Sequence, residues 1–515
     1  MDLSNHITLL LAGQSPLTGA VLVAVVALVL LILIAPKDSI PVINKYPNDW
    51  FLSKAHMAFI TNADGLIKQG FAKVRGSSSF TARTKEILTK VNQFNKPFRM
   101  ITLLGDRIVL PADHFEWMRR HGPQLDHQPL VSKDFMAGYP GFDGTAAISD
   151  PSKLLANVIK KKLVQNPHVS KLHNNVRKDV LAAWPEKRDE WKAVDWAKDG
   201  VRFISRMSAS VFVGEELSRD ETWEQVSTNY GMTVFLAARA LRAWPRFLRP
   251  IVQWFLPACK SCRAEVQRAR EVLQKNLAKR AAENKDHDDS ITWFSEIAGG
   301  KSYDPVAAQL GMSMAAVVTT SELLKQTIIE ICAHDLATPL REEIEAVVAE
   351  HGWSPAALTN MRLLDSVIKE TQRLNSAVIV NLDRQVLSPV TLPNGQYLPK
   401  GTAISIYMSQ LRNPEVYENP DTFDAYRYVK LRAQGGKWIY ASSATSTSED
   451  HFVFGIGKPI CPGRFFAIAE IKTAIATILL DYDLRLAEGY TPKLMPFGFE
   501  LFADPGVQLE VKRRS

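Results

Sequence analysis

Cysteine is scarce: the 515 residues hold four, Cys259, Cys262, Cys332 and Cys461. So few exclude a disulfide framework and fit a reducing compartment. Cys259 and Cys262 form a lone C-x-x-C. A zinc site would need a second ligand pair, which the surrounding sequence lacks, so the pair reads as structural. No run of five like charges occurs, and no basic segment is interleaved with aromatics. With a net charge of only +8, this pattern gives nucleic acid no footing. No strand–G-x-G-x-x-G–helix unit is present, so the chain has no flavin or nicotinamide fingerprint of its own. Repeats and a second catalytic domain are missing too. Hydrophobic content of 46% and charged content of 23% are ordinary for a globular enzyme built on one large core.

Charge is also missing from the start of the chain. None appears between Asp2 and Lys37, and Leu17–Ala35 is almost purely apolar. At about 1.5 Å per residue such a helix crosses a hydrocarbon core of about 30 Å. A secretory signal would have a basic n-region and a shorter apolar stretch. Lys37 and Lys45 follow the apolar run, so positive-inside bias puts the rest of the chain in the cytosol. The expected division is an anchor over residues 1–36 and a catalytic domain over 37–515. Prolines 36, 41 and 47 make the connector around Ile40–Asn44 stiff.

What is present centres on Phe454-Gly-Ile-Gly457-Lys458-Pro459-Ile-Cys461-Pro-Gly463-Arg464-Phe-Phe-Ala467. One cysteine sits between Gly457 and Gly463, and Phe465–Leu480 reads as an apolar helix. Glycines let backbone approach a bulky planar group. Free N–H groups at the helix start are expected to lower the thiol pKa and tune its donation to a metal. A buried structural cysteine in a Gly/Pro turn is the plainer alternative.

Elsewhere the pattern predicts a hairpin over Phe98–Leu110 with its turn at Gly105-Asp106, a short helix over Asp113–His121 and another over Lys153–Leu163. Val226–Arg268 mixes Phe235, Leu236, Leu241, Trp244, Phe247, Leu248, Ile251, Trp254 and Phe255 with Arg239, Arg242, Arg246 and Arg249, broken by prolines 245, 250 and 257. That composition suits a surface dipping into lipid headgroups, or else an ordinary core helix pair. Leu310–Ala337 is apolar on every side and predicts a helix through the core. The link from it to Pro339 is short. Glu370 and Arg373 share one face of a helix over Leu364–Leu374. Strands follow at Val386-Leu387, Val390–Leu392 and Ala403–Ile406, with Asn394-Gly395 as a hairpin turn, and again within Leu494–Val511.

The cysteine loop resembles the haem-binding loop of the cytochrome P-450 family, F-x-x-G-x-[R/H]-x-C-x-G. Phe454, Gly457, Cys461 and Gly463 match. Pro459 stands where the family has Arg or His, and Lys458 beside it carries the charge. Ala315-Ala316-Val317-Val318-Thr319-Thr320 is similar to the family's [A/G]-G-x-[D/E]-T, with Ala316 for Gly and Val318 for the acid. Glu370-x-x-Arg373 is similar to its E-x-x-R, and Pro420–Tyr428 to its P-x-x-F-x-P-x-R-F, with Arg427 as the arginine. In order, and together with the apolar N-terminal run and Ile40–Asn44, these motifs cover nearly the whole chain and look most like microsomal, fungal secondary-metabolism members.

The resemblance implies a mainly α, triangular domain with small β-sheets, and haem b. It implies that Cys461 is the axial ligand, with Phe454, Gly457 and Gly463 around the cofactor and Arg384 and Lys458 on its propionates. Thr319, at a kink in its helix, would relay protons, with Thr320 beside it; on its own residues, Thr319 could equally bond its i−4 carbonyl. Arg427 would join Glu370 and Arg373 beneath the haem loop, and Val378–Val380 would face the substrate. The implied reaction inserts one atom of O₂ into a C–H bond of a hydrophobic small molecule. The implied partners are NADPH through a separate NADPH-cytochrome P-450 reductase, cytochrome b5 and the endoplasmic reticulum membrane. Oxygen-independent rearrangement or dehydration, and a membrane haem protein without turnover, are the alternatives.

Overall fold

The computed structural model describes residues 40–75, 96–165, 168–188, 190–283 and 285–514. The expected anchor over 1–36 lies outside the described residues. Among those described, no helix is long and apolar enough to cross a membrane. Val42–Ser515 forms one compact unit. It is mainly helical, with small sheets.

The central element is the helix Pro305–Ala333. Asp304 caps it by accepting from the Val306 and Ala307 amides, and Pro305 opens its first turn. This cap-and-proline start explains why the helix begins before Leu310. It ends at Ala333, short of the expected Ala337, which instead opens the next helix, Ala337–His351. Only His334–Leu336 connects the two, which is the short link read from the sequence. An apolar surface all round lets the central helix pack against Asp143–Ile148, Trp196–Phe212, Glu221–Arg242, Arg362–Leu374 and Arg464–Asp481 together.

The largest sheet runs, in spatial order, Phe98–Thr102, Gly105–Leu110, Ala403–Tyr407, Val380–Val386 and Leu125–Asp126. The first two strands pair with Thr102 opposite Gly105, so the turn is Leu103-Leu104 and falls earlier than expected. Gly105, at φ +106°, takes a backbone angle that a side chain would resist. Asp113–His121 divides into a 3₁₀ turn, Ala112–His114, and the helix Phe115–Arg120. Lys153–Leu163 begins as an α-helix at Leu154 and widens into a π turn over Ile159–Leu163. Asn394-Gly395 turns between Val390–Thr391 and Tyr397–Leu398.

Each proline of the aromatic-arginine segment marks a boundary. The helix Glu221–Arg242 stops before Pro245, Pro250 lies in the first turn of Arg249–Val252, and Pro257 opens Pro257–Glu283. Cys259 and Cys262 are buried in that last helix, and the Cys262 sulfur lies 2.8 Å from the Gly141 carbonyl oxygen.

Candidate active site

The loop before Arg464–Asp481 is held by its own backbone. The Gly455 amide donates to Phe452 O (2.8 Å), Ile460 to Gly457 O (3.2 Å) and Cys461 to Phe454 O (2.9 Å). Gly455 and Gly457 have φ of +72° and +70°, angles that favour glycine. At Gly457 and at Gly463, a Cβ would meet nothing within 4 Å, so space is open beside both. Gly463 caps the helix with an ordinary φ of −84°; its role is room rather than backbone freedom. Phe454 is half-buried against the main core. Lys458 is exposed.

Cys461 corrects one expectation. Burial raises its thiol pKa above the ordinary value, and this outweighs the Gly463 and Arg464 amides and the Arg464 charge, which lower it. The helix-start donors are present as the sequence implied. They oppose desolvation without overcoming it, and a bound cation such as iron would favour the thiolate there.

The central helix passes with a small, open face. Within the stretch from buried Met312 to buried Thr320, the exposed residues are Ala315 and Thr319, one turn apart. The helix continues through Thr319 as one span, so the expected kink is not found. The Thr319 hydroxyl donates to the Ala315 carbonyl (2.9 Å), the i−4 bond that supplies its partner when nothing else does. Thr320 is turned inward and buried.

The helix Arg362–Leu374 carries the charged network. Arg373 donates through Nε and Nη2 to the two oxygens of Glu370, each at 2.8 Å. Arg427 Nε donates to Glu370 Oε1 at 2.9 Å, and the Asp424 amide to the same atom at 3.1 Å. The remaining guanidinium donors go to carbonyls: Arg373 to Leu411 and Pro420, Arg427 to Glu418, Asn419 and Thr422. Two cations share one carboxylate, and the backbone takes up the rest.

Arg384 lies on the strand Val380–Val386, where the pairing shifts between Asn381 and Arg384 and Leu382 has φ +58°. Such a bulge re-aims the side chains around it. Arg384 is buried, which lowers its pKa against the charges of Asp383 and Asp126. Its Nη1 donates to the Asp383 carbonyl. Among the described residues no hydrogen bond or ion pair joins Arg384 to Lys458.

Sequence reasoning missed Asn381. Its Nδ2 donates to the carbonyls of Phe452 (3.1 Å) and Val453 (2.7 Å), fastening the Arg384 strand to the start of the cysteine loop. The one signal available was an asparagine, a poor strand former, inside a strand. Val378 and Ile379 are half-buried and pair with Glu500 and Phe499 of the C-terminal hairpin.

These residues fit a haem. There is one cysteine in an open glycine-lined loop, a helix face of small residues, and a buried guanidinium with donors to spare for an anionic group. Comparison with known proteins agrees. The family profile described as Cytochrome P450 matches residues 152–511. The chain is 36% identical over 468 residues to the cytochrome P450 monooxygenase ntnM of a Nectria species, covering 90% of this chain and 86% of that one. It is 33% identical to the cytochrome P450 monooxygenase ptmU of Penicillium ochrochloron, covering 96% of each. The crystal structure of the cytochrome P450DA heme domain superposes with a TM-score of 0.67 over 92% of this chain and 97% of that one; at 15% identity it speaks for the fold alone. With sequence relatives, fold and cysteine loop in agreement, the chain belongs to the cytochrome P450 family and is a haem-dependent monooxygenase.

Proposed function

We propose that the enzyme oxidises a C–H bond of a hydrophobic small molecule of fungal secondary metabolism, of terpenoid or alkaloid type. O₂ and NADPH are its co-substrates, and the electrons arrive through a separate NADPH-cytochrome P-450 reductase, with cytochrome b5 as a second donor. The observation that carries this reading is the open Ala315/Thr319 face on an otherwise buried helix packed against the helix that follows Cys461.

When bound, haem b supplies the oxidising chemistry: one oxygen atom enters the C–H bond and the other leaves as water, with two electrons and two protons consumed. The chain does the rest. Cys461 would supply the thiolate ligand, and Phe454, Gly457 and Gly463 would leave room for the ring. Arg384 and Lys458 would hold its propionates. The Thr319 hydroxyl, released from the Ala315 carbonyl, would hand a proton to a group bound on the open Ala315/Thr319 face, with Thr320 next to it. Glu370, Arg373 and Arg427 keep the underside of the loop in place.

Residues 1–36 anchor the enzyme in the endoplasmic reticulum membrane as a single pass, with the catalytic domain in the cytosol. The exposed aromatics between Trp244 and Phe255 support a second contact with the headgroup layer.

Co-expression with a reductase, feeding of terpenoids and alkaloids, and mass spectrometry of the products test the proposal. Product coupled to NADPH use supports it, whereas product without NADPH use identifies a rearrangement. Thr319→Ala is expected to lower product per NADPH severalfold while peroxide rises and NADPH use continues. A fully coupled variant removes Thr319 from the relay.

A further inference from the structure

Arg464 opens the helix that follows Cys461, and its side chain turns back on the loop. Nη1 donates to the carbonyl oxygen of Cys461 at 2.9 Å, and Nε to the carbonyl of Thr445 at 3.1 Å. The guanidinium also lies over the Phe465 ring, 4.2 Å from its centroid. It is held on three sides and half-buried.

The Thr445 carbonyl is itself braced. It belongs to the turn Ser443–Ser446, which wraps the ammonium of Lys369. Lys369 is 1% exposed. Its Nζ donates to Ser443 O (2.8 Å), Ser446 O (3.1 Å) and Ser446 Oγ (3.1 Å). Lys369 precedes Glu370 on the buried helix Arg362–Leu374. One chain of charge-assisted hydrogen bonds therefore runs from that helix, through the serine turn and Arg464, to the peptide of the cysteine.

We propose that Arg464 is a positioning residue for the axial thiolate: it clamps the Cys461 carbonyl and holds a positive charge on the ligand's own peptide, and so raises the potential at which the bound iron accepts its electron. A fixed cation stabilises whichever state carries the extra negative charge. Reduction adds such a charge, so the cation favours the reduced state. The lever is distinct from the Glu370 network, which makes no hydrogen bond to Cys461 among the described residues.

The inference rests on Cys461 as the axial ligand, which the parent holoenzyme tests by itself: its reduced, CO-bound form absorbs at the position of a thiolate-ligated haem. Absorption at the histidine-ligated position overturns the ligand assignment and this inference together. With the thiolate band in place, the midpoint potential is titrated at equilibrium with chemical mediators and no reductase, in the parent, Arg464→Gln and Arg464→Lys. The expected result is a more negative potential in Arg464→Gln at unchanged haem content, and a potential close to the parent's in Arg464→Lys, which keeps the charge. A parent-like potential in Arg464→Gln, or equal shifts in both variants, overturns the inference while leaving the ligand assignment standing. If Arg464→Gln does not retain haem, Arg464→Lys decides: a parent-like potential supports the inference and a negative shift overturns it.

Discussion

Two segments of this enzyme are built inside out relative to their composition. The helix Arg362–Leu374 carries Asp365, Lys369, Glu370, Gln372 and Arg373, yet everything from Leu363 to Leu374 is buried. The segment Trp244–Phe255 is rich in large apolar side chains, yet Phe247 is 77% exposed and Phe255 80%. Ranking by hydropathy would exchange their places. The first is tolerable because most of its charges find buried partners: Asp365 meets Lys472 at 2.6 Å, Glu370 meets two guanidiniums, and Lys369 meets three oxygens. The second leaves unused the roughly 1.5–3 kcal/mol that burying each large apolar side chain would contribute. The membrane contact proposed above would recover that energy where the folded chain does not. Polarity thus says how much a placement costs, and partners say whether the placement is stable.

The largest test of that comparison is Glu370→Ala. It leaves Arg373 and Arg427 as buried cations without their carboxylate, a loss of about 3–5 kcal/mol. The expected outcome is little or no haem-loaded protein, measured as haem absorbance per mole of chain. Normal loading and stability would show that the carbonyls alone suffice.

A sharper test uses a buried carboxyl with poorer company. Glu470 lies in the core with one hydrogen bond, from Ser208 Oγ at 2.7 Å, and its Oε2 has no partner among the described residues. Burial pushes its pKa up from 4.5 to about 8. Between those values the folded chain keeps a proton that the unfolded chain releases, so this group's contribution to stability falls as pH rises from about 4.5 to about 8. Glu470→Gln keeps the bond from Ser208 and cannot ionise. It should match the parent near pH 4.5 and exceed it near pH 8 by about 3 kcal/mol, below the ceiling of about 5 kcal/mol that ~1.4 kcal/mol per pH unit sets, because relaxation around the buried carboxylate recovers part of it. Urea midpoints at the two pH values measure it, and parallel pH curves would refute it.

The smallest effect on stability belongs to the exposed segment. Phe247→Ser with Phe255→Ser should change stability by no more than about 0.5 kcal/mol, since neither side chain is in the core. In a chain lacking residues 1–36, the same pair should cut flotation with liposomes severalfold. A large loss of stability, or unchanged flotation, would show that the patch serves the fold instead.

How much of this was legible follows from how local each feature is. The cysteine loop, the E-x-x-R pair, the apolar central helix and its short exit were all readable within windows of a few residues. Pro305 and Asp304 carried the true start of the central helix, but the apolar run drew attention to Leu310. The turn at Leu103-Leu104 was misplaced because Gly105 looked like the turn and instead opens the strand. Asn381 gave almost no signal, since its partners Phe452 and Val453 are far along the chain.

The sequence alone determined which residues could do the chemistry: a single cysteine between glycines, a threonine on an apolar helix, and a carboxylate with an arginine on the same helix face. These depend on spacing, which backbone geometry turns directly into position. Tertiary structure alone decided the rest. It brought Arg427 to Glu370 across 57 residues, turned Thr319 outward and Thr320 inward, let burial outweigh the helix-start donors at Cys461, and left Trp244–Phe255 uncovered. The physical reason is that burial, screening and hydrogen-bond partnership belong to surfaces that meet only when distant segments pack together.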